Sequence, residues 1–386
     1  MNDEVRVAGL DSARDRAPVD RAHRPAHGGN RVSPQGVHLG HHRREGRVDG
    51  FAAGSDLYGP TYAALDLGTN NCRLLVARAT HDGFRVIDAF SRIIRLGEGI
   101  TASGRLGEPA IARAIEVLKI CRDKMRNRGV TRARLIATEA CRLAENGVDF
   151  LDRVRADVGI DLEIVDRETE ALLAATGCTP LIDPDADSVI LFDIGGGSSE
   201  IAHLGRPAGI HRGPPEPNMR GWISLAVGVV TLAERHGGIV VTRDDFETMI
   251  AEVARLIEPF ARAHGGRDPH AMHLLGTSGT VTTIAGVHLG LKRYDRRRVD
   301  GCWMMDAQVT EVVERLLAMS YDQRVGNACI GSERADLVLA GCAILEAIRR
   351  AFPSTRLRVA DRGLREGMLV QMMRADGVWR EAGVAS

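Results

Sequence analysis

The sequence predicts an α/β protein made of two related halves. From Tyr62 onwards, short apolar runs alternate with segments of helical period, which is the pattern of strands that alternate with helices. An apolar strand that ends in an aspartate and a glycine turn occurs twice, at Asp66 and, 127 residues later, at Asp193. A further strand follows the turn in both places, so we interpret the chain as a duplicated α/β domain.

Local signals predict the elements of the first half. Pro109 suits the first turn of a helix, because the N–H that proline lacks is not needed there. Ile111, Ile115 and Leu118 share one face of that helix. Short apolar runs predict strands over residues 62–66, 73–79, 84–96, 133–138 and 162–166. Two further helices are predicted over residues 149–158 and 168–176.

The second half repeats the opening pattern and then adds helices. Thr242 is predicted to cap a long helix that runs to His264, with Asp244 and Asp245 in the first turn, where the helix dipole favours acidic side chains. Strands are predicted over residues 188–193, 200–204, 270–275 and 356–360. The remaining helices are predicted over residues 278–288, 306–318 and 332–351 and after residue 361.

The composition divides the chain into three parts. Residues 1–58 are rich in Arg, Asp, Gly, His and Pro and show no hydrophobic period, which predicts a disordered tail. The first α/β domain is predicted over residues 59–180, and the second, with the C-terminal helices, over residues 181–386. We expect the hinge between these domains near residues 178–187.

Composition also excludes several classes of function. The 386 residues include 51 Lys and Arg and 51 Asp and Glu, and a net charge of zero argues against a general nucleic-acid or membrane-surface binder. Lys occurs only at positions 119, 124 and 292, so no Walker A motif is present. The longest apolar stretch is too short to cross a bilayer. Seven cysteines without a C-x-x-C pair predict reduced thiols in a cytoplasmic protein.

The segment over residues 193–200, Asp-Ile-Gly-Gly-Gly-Ser-Ser-Glu, is the strongest chemical signal. Consecutive glycines let the backbone aim successive N–H groups at one point, which suits phosphate binding. Asp193 at the end of a strand and Glu200 seven residues later are candidates for holding a divalent cation. Alone, the segment is equally typical of a glycine-rich hairpin with a buried aspartate.

Two similar turns favour the phosphate interpretation. Asp66 begins the sequence Asp-Leu-Gly-Thr-Asn in the first half, and residues 276–280, Gly-Thr-Ser-Gly-Thr, lie between a strand and a helix of the second half. Each turn follows the carboxyl end of a strand, and open α/β sheets bind ligands in the crevice beyond those ends. We therefore expect the three turns to converge on one crevice between the domains.

Six motifs in order carry a resemblance to a known family. They lie at residues 66–70, 137–146, 163–171, 193–198, 276–280 and 363–367. Together they resemble the exopolyphosphatase / guanosine pentaphosphate (pppGpp) phosphohydrolase family, in its short two-domain form, over about residues 60–375. The resemblance implies two ribonuclease H-like domains of the actin, Hsp70 and sugar-kinase fold, facing each other across a cleft.

The resemblance also implies roles for individual residues. Glu170 corresponds to the family's catalytic glutamate, which orients or deprotonates the attacking water. Asp193, Glu200 and Asp66 correspond to acidic metal positions. The residues implied in phosphate or substrate binding are Asn70, Arg142, Asn146, Gly195, Gly196, Gly197, Ser198, Gly276, Ser278 and Gly279.

One motif departs from the family pattern. The family usually has Ser-Gly-x-Glu-Glu-Ala-Arg before the catalytic helix, whereas here Thr169 replaces the first acid of the pair and Leu172 replaces the arginine. Glu168 and Glu170 are therefore both candidates for the base, and we favour Glu170 because it directly precedes Ala171.

The implied activity is removal of terminal phosphate from inorganic polyphosphate, from pppGpp, or from both, which links the protein to the stringent response. The family implies Mg²⁺ as cofactor, with K⁺ as a second candidate ion, and a homodimer. Neither a specific nucleic acid nor a membrane is expected as partner. Two alternatives remain open from the sequence: an ATP-dependent kinase of the same superfamily, and a non-catalytic sensor that binds (p)ppGpp or polyphosphate.

Overall fold

The computed structural model describes residues 59–207, 213–266 and 268–379. The predicted N-terminal tail, residues 1–58, lies outside this part of the chain. The described residues contain two mixed sheets surrounded by helices. The expected α/β fold class, with a duplicated actin-like architecture, is confirmed.

The first sheet has five strands in the order β3-β2-β1-β4-β5. Its strands are β1 (Thr61–Leu67), β2 (Asn71–Ala79), β3 (Phe84–Ile93), β4 (Arg132–Ala137) and β5 (Glu163–Ile164). The helices that accompany them are α1 (Ile100–Ser103), α2 (Glu108–Asn127), α3 (Glu139–Leu143), α4 (Gly147–Val158) and α5 (Arg167–Cys178). A 3-10 turn over Thr179–Leu181 leads to the second sheet.

The second sheet has six strands in the order β10-β11-β9-β6-β7-β8. Its strands are β6 (Ser188–Ile194), β7 (Ser199–Gly205), β8 (Asn218–Leu225), β9 (Met272–Thr277), β10 (Trp303–Met305) and β11 (Arg356–Ala360). The helices of this half are α6 (Val229–His236), α7 (Arg243–His264), α8 (Gly279–His288), α9 (Arg296–Val299), α10 (Asp306–Ala318), α11 (Tyr321–Gly326), α12 (Val338–Ala351) and α13 (Leu364–Ala375).

The two sheets repeat one topology. In the first, β1 pairs antiparallel with β2 and parallel with β4. In the second, β6 pairs antiparallel with β7 and parallel with β9. The registers correspond as well, because Asp66 lies opposite Arg73 as Asp193 lies opposite Glu200. The duplication inferred from two sequence segments therefore extends to the strand order of both sheets, with β10 added at the edge of the second.

Several expected boundaries change because local hydrogen bonds compete with the predicted elements. The strand expected over residues 162–166 is only two residues long, since the Asp166 side chain accepts a bond from the backbone N–H of Thr169 (2.7 Å) and caps α5. The apolar stretch near residues 222–233 is divided between β8 and α6, which begins after Gly228. By contrast, Thr242 caps α7 as predicted, and its hydroxyl accepts from the Asp245 N–H.

Helices α5 and α13 cross closely between the two sheets. A Cβ atom on Gly367 of α13 would overlap the carbonyl of Leu173 in α5, and one on Gly177 of α5 would overlap the carbonyl of Gly363. Helix α13 comes from the segment assigned to the second domain, yet it also packs on β1 through Met368. The crossing therefore connects the two sheets through backbone contact that only glycine permits.

We predict that Gly367→Ala destabilises the protein by about 2 kcal/mol, because the methyl group forces α5 and α13 apart and overpacking in a core costs about 1–3 kcal/mol. Denaturant unfolding measures this change. Gly326→Ala is the matched control, since a Cβ at Gly326 in α11 meets no atom within 4 Å. The control should be neutral or slightly stabilising, as alanine favours helix. Equal stability of the two variants would contradict the close crossing.

Candidate active site

Two glycine turns of the same geometry face each other at the ends of β1 and β6. In the first, the Gly68 N–H donates to the Asn71 carbonyl (2.9 Å), and in the second the Gly195 N–H donates to the Ser198 carbonyl (2.9 Å). A Cβ on Gly196 would lie 3.0 Å from Cβ of Thr69, so the two turns are almost in contact. The expectation that Asp66 and Asp193 open onto one cleft agrees with this arrangement, since both line the same pocket.

The second turn leaves backbone donors available. Within the described residues, the N–H groups of Gly196, Gly197 and Ser198 donate no hydrogen bond. The loop is held from behind by the first residues of α6, because the N–H groups of Val229 and Val230 donate to the carbonyls of Gly195 and Gly196, both at 2.9 Å. All three residues line the pocket, and consecutive N–H groups without an acceptor are the feature from which anion-binding concavities are built.

The third turn brings α8 to the same pocket. Ser278 precedes α8 and has φ 96° and ψ 179°, a conformation that costs a residue with a side chain about 1–3 kcal/mol and is concentrated at functional sites. Its hydroxyl is buried and has no hydrogen-bond partner in the described part of the chain. The side-chain oxygens of Asn70 and Asn71, on the opposite wall, are buried without partners as well. Such unsatisfied groups mark a place where a polar ligand fits.

Five carboxyl groups line this cleft: Asp66, Glu139, Glu170, Asp193 and Glu200. Burial raises the pKa of Asp193 to about 6, with Arg73 opposing the shift and Asp66 adding to it. Burial likewise raises the pKa of Glu170 to about 7; Arg142 opposes, whereas Asp66 and Asp193 add. The pKa of Glu200 is also raised, by burial and then by Glu170 and Asp193. The cleft therefore holds more negative charge than its own cations balance.

The acids fit Mg²⁺ only together with a phosphate ligand. In the residues that the structure describes, no three His, Cys, Asp or Glu side chains lie close enough to hold a metal ion by themselves. Mg²⁺ in phosphoryl-transfer sites commonly binds one or two carboxylates, several waters and substrate phosphate oxygens. The raised pKa values of Asp193 and Glu200 agree with binding of a cation at these carboxylates, because a cation would relieve the repulsion between them.

Two arginines of the cleft were missed by the sequence analysis. Arg73 and Arg334 both line the pocket, and neither side chain forms a hydrogen bond or ion pair with another described residue. Burial, with repulsion from Arg73, lowers the pKa of Arg334. The repeat held a signal for Arg73, which stands seven residues after Asp66 as Glu200 stands seven residues after Asp193. Arg334 was predicted to lie in a helix over residues 332–351, but α12 begins only at Val338 and Arg334 lies in the turns before it.

The two candidate bases lie on different sides of helix α5. Glu170 faces the cleft, whereas Glu168 is exposed to solvent and does not line it. The carboxylate of Glu170 accepts a hydrogen bond from Nη2 of Arg142 at 2.8 Å, with 13 % of its side chain exposed. Of the two glutamates, only Glu170 is placed where a water beside a bound phosphate can be reached.

Most of the expected site residues line the cleft. They are Asp66, Asn70, Glu170, Asp193, Gly195, Gly196, Gly197, Ser198, Glu200, Ser278 and Gly279. Glu139, which the sequence analysis did not single out, lines it too.

Three expected binding residues have other uses in this structure. Asn146 does not line the cleft, because its amide donates to the Leu106 carbonyl (3.0 Å) and accepts from the Leu106 N–H (2.8 Å). Gly276 lies inside β9, where a Cβ would collide with the Phe192 ring, so it serves packing. Arg142 binds protein carboxylates and is not part of the cleft lining. The structure therefore does not place these three residues in the cleft lining, and their contact with substrate stays a prediction.

Fold and cleft together define a two-lobed actin-like protein whose glycine turns, acids and free arginines meet between the lobes. The chain belongs to the Ppx/GppA phosphatase family, whose model matches residues 75–376. Membership supports a phosphohydrolase activity. Among the described residues, no helix has the length and hydropathy that crossing a bilayer requires.

Solved structures agree with this assignment. The chain is similar to the Aquifex aeolicus member of the family, with 27 % identity over 82 % of this chain and 98 % of that one and a TM-score of 0.67. An exopolyphosphatase-like protein has 26 % identity, coverage of 82 % and 99 %, and a TM-score of 0.71. An exopolyphosphatase from Cytophaga hutchinsonii has 24 % identity, coverage of 82 % and 98 %, and a TM-score of 0.74, and shows the fold alone.

We predict that Asp193→Asn stabilises the metal-free protein at pH 7.5. A carboxyl whose folded pKa lies near 6 instead of 3.8 destabilises the fold when it is ionised, and this cost is lost as the pH falls from about 6 towards 3.8. Removing the charge should raise the free energy of unfolding by about 1–3 kcal/mol. Urea unfolding in the presence of a chelator measures the change.

The matched control is Asp187→Asn, because the Asp187 side chain is 77 % exposed and lies just before β6. It should change stability by no more than about 0.5 kcal/mol. If Asp193→Asn is less stable than the wild-type protein, the negative charge of Asp193 is compensated by other groups of the fold and the cleft carries no excess negative charge.

Proposed function

We propose that this protein hydrolyses the terminal phosphoanhydride bond of inorganic polyphosphate, of pppGpp, or of both, and releases orthophosphate. The observation that supports this most directly is the position of Glu170, a buried carboxylate in the same cleft as three free backbone N–H groups. A site that only binds phosphate has no need of a basic carboxylate beside it, which favours an enzyme over a sensor.

The terminal phosphoryl group would be held by groups of both lobes. The N–H groups of Gly196, Gly197 and Ser198 would donate to phosphate oxygens, while Arg73 and Arg334 would neutralise their charge. The charge that develops on the transferring group is spread over its oxygens, so donors placed around them lower the barrier. This proposal agrees with the finding that, among the described residues, neither arginine side chain has a hydrogen-bond or ion-pair partner in a cleft rich in carboxylates.

Asp193 and Glu200, with Asp66 nearby, would hold Mg²⁺ together with the substrate phosphates. When bound, the ion would neutralise charge on the phosphate oxygens as a Lewis acid. We also propose K⁺ as a second ion to be tested, because the family resemblance implies it.

Glu170 would orient the attacking water and accept its proton. Arg142 occupies one carboxylate oxygen, Oε2, and within the described residues Oε1 accepts no hydrogen bond. A base whose pKa lies near the working pH combines the required ionised state with sufficient basicity, and such a base contributes about 10²–10⁴ in rate. The pKa of Glu170, raised by burial to about 7, meets that condition.

The proposal is tested by measuring phosphate release from long polyphosphate, short polyphosphate, pppGpp and ATP in parallel, with Mg²⁺ and with chelator. Release from polyphosphate or pppGpp that requires Mg²⁺ is the expected result. Turnover of ATP alone would instead select a kinase-like activity, and tight binding of every polyanion without release would select a sensor.

We predict that Glu170→Gln lowers kcat by about 10²–10⁴-fold, because the amide cannot accept the proton of water. Binding of polyphosphate, measured by calorimetry, should persist. Glu168→Gln, two residues away on the exposed side of α5, is the matched control and should retain full activity. Near-normal phosphate release by Glu170→Gln would refute the assignment of the base.

We predict that Arg334→Met raises KM for the preferred substrate by about 10- to 100-fold, since hydrogen bonds to charged groups contribute about 1.5–3 kcal/mol. Steady-state phosphate release measures this. Arg262→Met is the control, because the Arg262 side chain on α7 is 74 % exposed. An unchanged KM would show that Arg334 does not contact substrate.

A homodimer and a cytoplasmic location are further proposals that follow from the resemblance. All seven cysteines fall within the described residues and are free thiols, which agrees with a reducing compartment. Light scattering of the purified protein tests the oligomeric state, and cell fractionation tests the location.

A further inference from the structure

Glu139 is a buried carboxylate that takes no part in the reaction proposed above. It is the first residue of α3 and only 2 % of its side chain is exposed. Two arginines bind it: Arg142 donates to Oε2 through Nε (2.9 Å) and Nη2 (2.7 Å), and Arg167 donates to Oε1 through Nη2 (2.6 Å). Its Cγ also lies 3.2 Å from the position that a Cβ on Gly197 would occupy. Glu139 therefore lies directly behind the glycine loop of residues 195–198.

The contacts of Arg142 account for nearly all its donors. A guanidinium group has five N–H bonds. Arg142 uses two on Glu139, one on Glu170 through Nη2 (2.8 Å), and one on the Val165 carbonyl through Nη1 (2.6 Å). One N–H remains, so Arg142 is held in a single orientation between two carboxylates.

This orientation determines how Glu170 is bound. Arginine and carboxylate groups commonly pair through two parallel hydrogen bonds, and such pairing would engage both oxygens of Glu170. Here the side of the guanidinium that carries Nε is turned towards Glu139, and Glu170 receives one N–H on Oε2. The second oxygen of Glu170 is thereby left for a water molecule.

We propose that Glu139 is a positioning residue for the hydrolysis: it holds the Arg142 guanidinium so that Glu170 receives one hydrogen bond and keeps Oε1 free for the attacking water. This inference rests on the proposed function. Without the charge of Glu139, Arg142 turns towards Glu170 and pairs with both of its oxygens, which blocks the base and lowers its basicity. Glu139 thus acts through Arg142 and contacts no reacting atom.

The test is the Glu139→Gln variant, which keeps the size of the side chain and one acceptor oxygen. We expect kcat to fall by about 10- to 100-fold, the scale of a misplaced catalytic group. KM should stay within about threefold of the wild-type value, because the groups that bind phosphate are untouched. Glu145→Gln is the matched control, since it removes an exposed ion pair with Arg105 in the same segment and should leave both constants unchanged.

Other kinetic outcomes overturn the proposal. An unchanged kcat, with or without a lower melting temperature, would mean that Glu139 only balances the charge of buried arginines. A rise in KM as large as the fall in kcat would mean that it serves substrate binding. If Glu139→Gln does not fold, Glu139→Asp takes its place, because it keeps the charge but withdraws the carboxylate from Arg142. For this variant too, we expect kcat to fall while KM stays close to the wild-type value.

A crystal structure of the Glu139→Gln variant separates this inference from the proposed function. Arg142 bonded to both oxygens of Glu170 is the expected result, and an unmoved guanidinium would overturn the inference whatever the enzyme acts on. If the wild-type protein releases no phosphate from any of the four substrates, the proposed function fails, and the crystal structure still decides whether Glu139 orients Arg142.

Discussion

Electrostatic imbalance in the interlobe cleft is the constraint on which the site depends. Asp66, Asp193, Glu170 and Glu200 are buried near one another, and burial raises the pKa of each. A chain selected only for stability would replace some of these acids or pair them, since an uncompensated buried charge is costly. In the same cleft, the side chains of Arg73 and Arg334 and the backbone N–H groups of residues 196–198 form no hydrogen bond to any residue that the structure describes. We propose that the unpaired acids and the unpaired donors both become favourable when a cation and a polyanion bind together.

The fold maintains this unfavourable arrangement through backbone contacts. The carbonyls of Gly195 and Gly196 in the glycine loop accept hydrogen bonds from the first N–H groups of α6. The lobes are joined where α5 and α13 cross at glycine positions. These backbone contacts fix the strand ends and the helix that carry the acids, so the repulsion cannot be relieved by moving those segments apart. The duplication contributes as well: equivalent strand positions hold Arg73 in one lobe and Glu200 in the other, so the same position supplies a cation in the first sheet and an acid in the second.

Residues of the cleft that belong to one local pattern could be predicted from the sequence, whereas residues brought there from segments without a pattern could not. Asp193, Gly196 and Ser198 come from a contiguous segment, and their convergence with Asp66 followed from the rule that ligands bind beyond the carboxyl ends of parallel strands. Asn146 belonged to the family pattern, but its amide is consumed by the Leu106 backbone. Arg334 belonged to no motif and was predicted inside a helix, whereas the structure begins that helix only at Val338 and leaves Arg334 in the turns that precede it.

By itself, the sequence determined the duplicated α/β architecture, the three glycine turns and the acids at strand ends, because these depend on periodicity and on the conformations that glycine allows. Only the tertiary structure placed Glu170 in the cleft and Glu168 in solvent, bound Arg142 to the carboxylates of Glu139 and Glu170, and brought Glu139 behind the glycine loop of residues 195–198. The reason is physical: which oxygen a guanidinium binds depends on distances between α3, α5 and β6, and such distances exist only once the two lobes have packed.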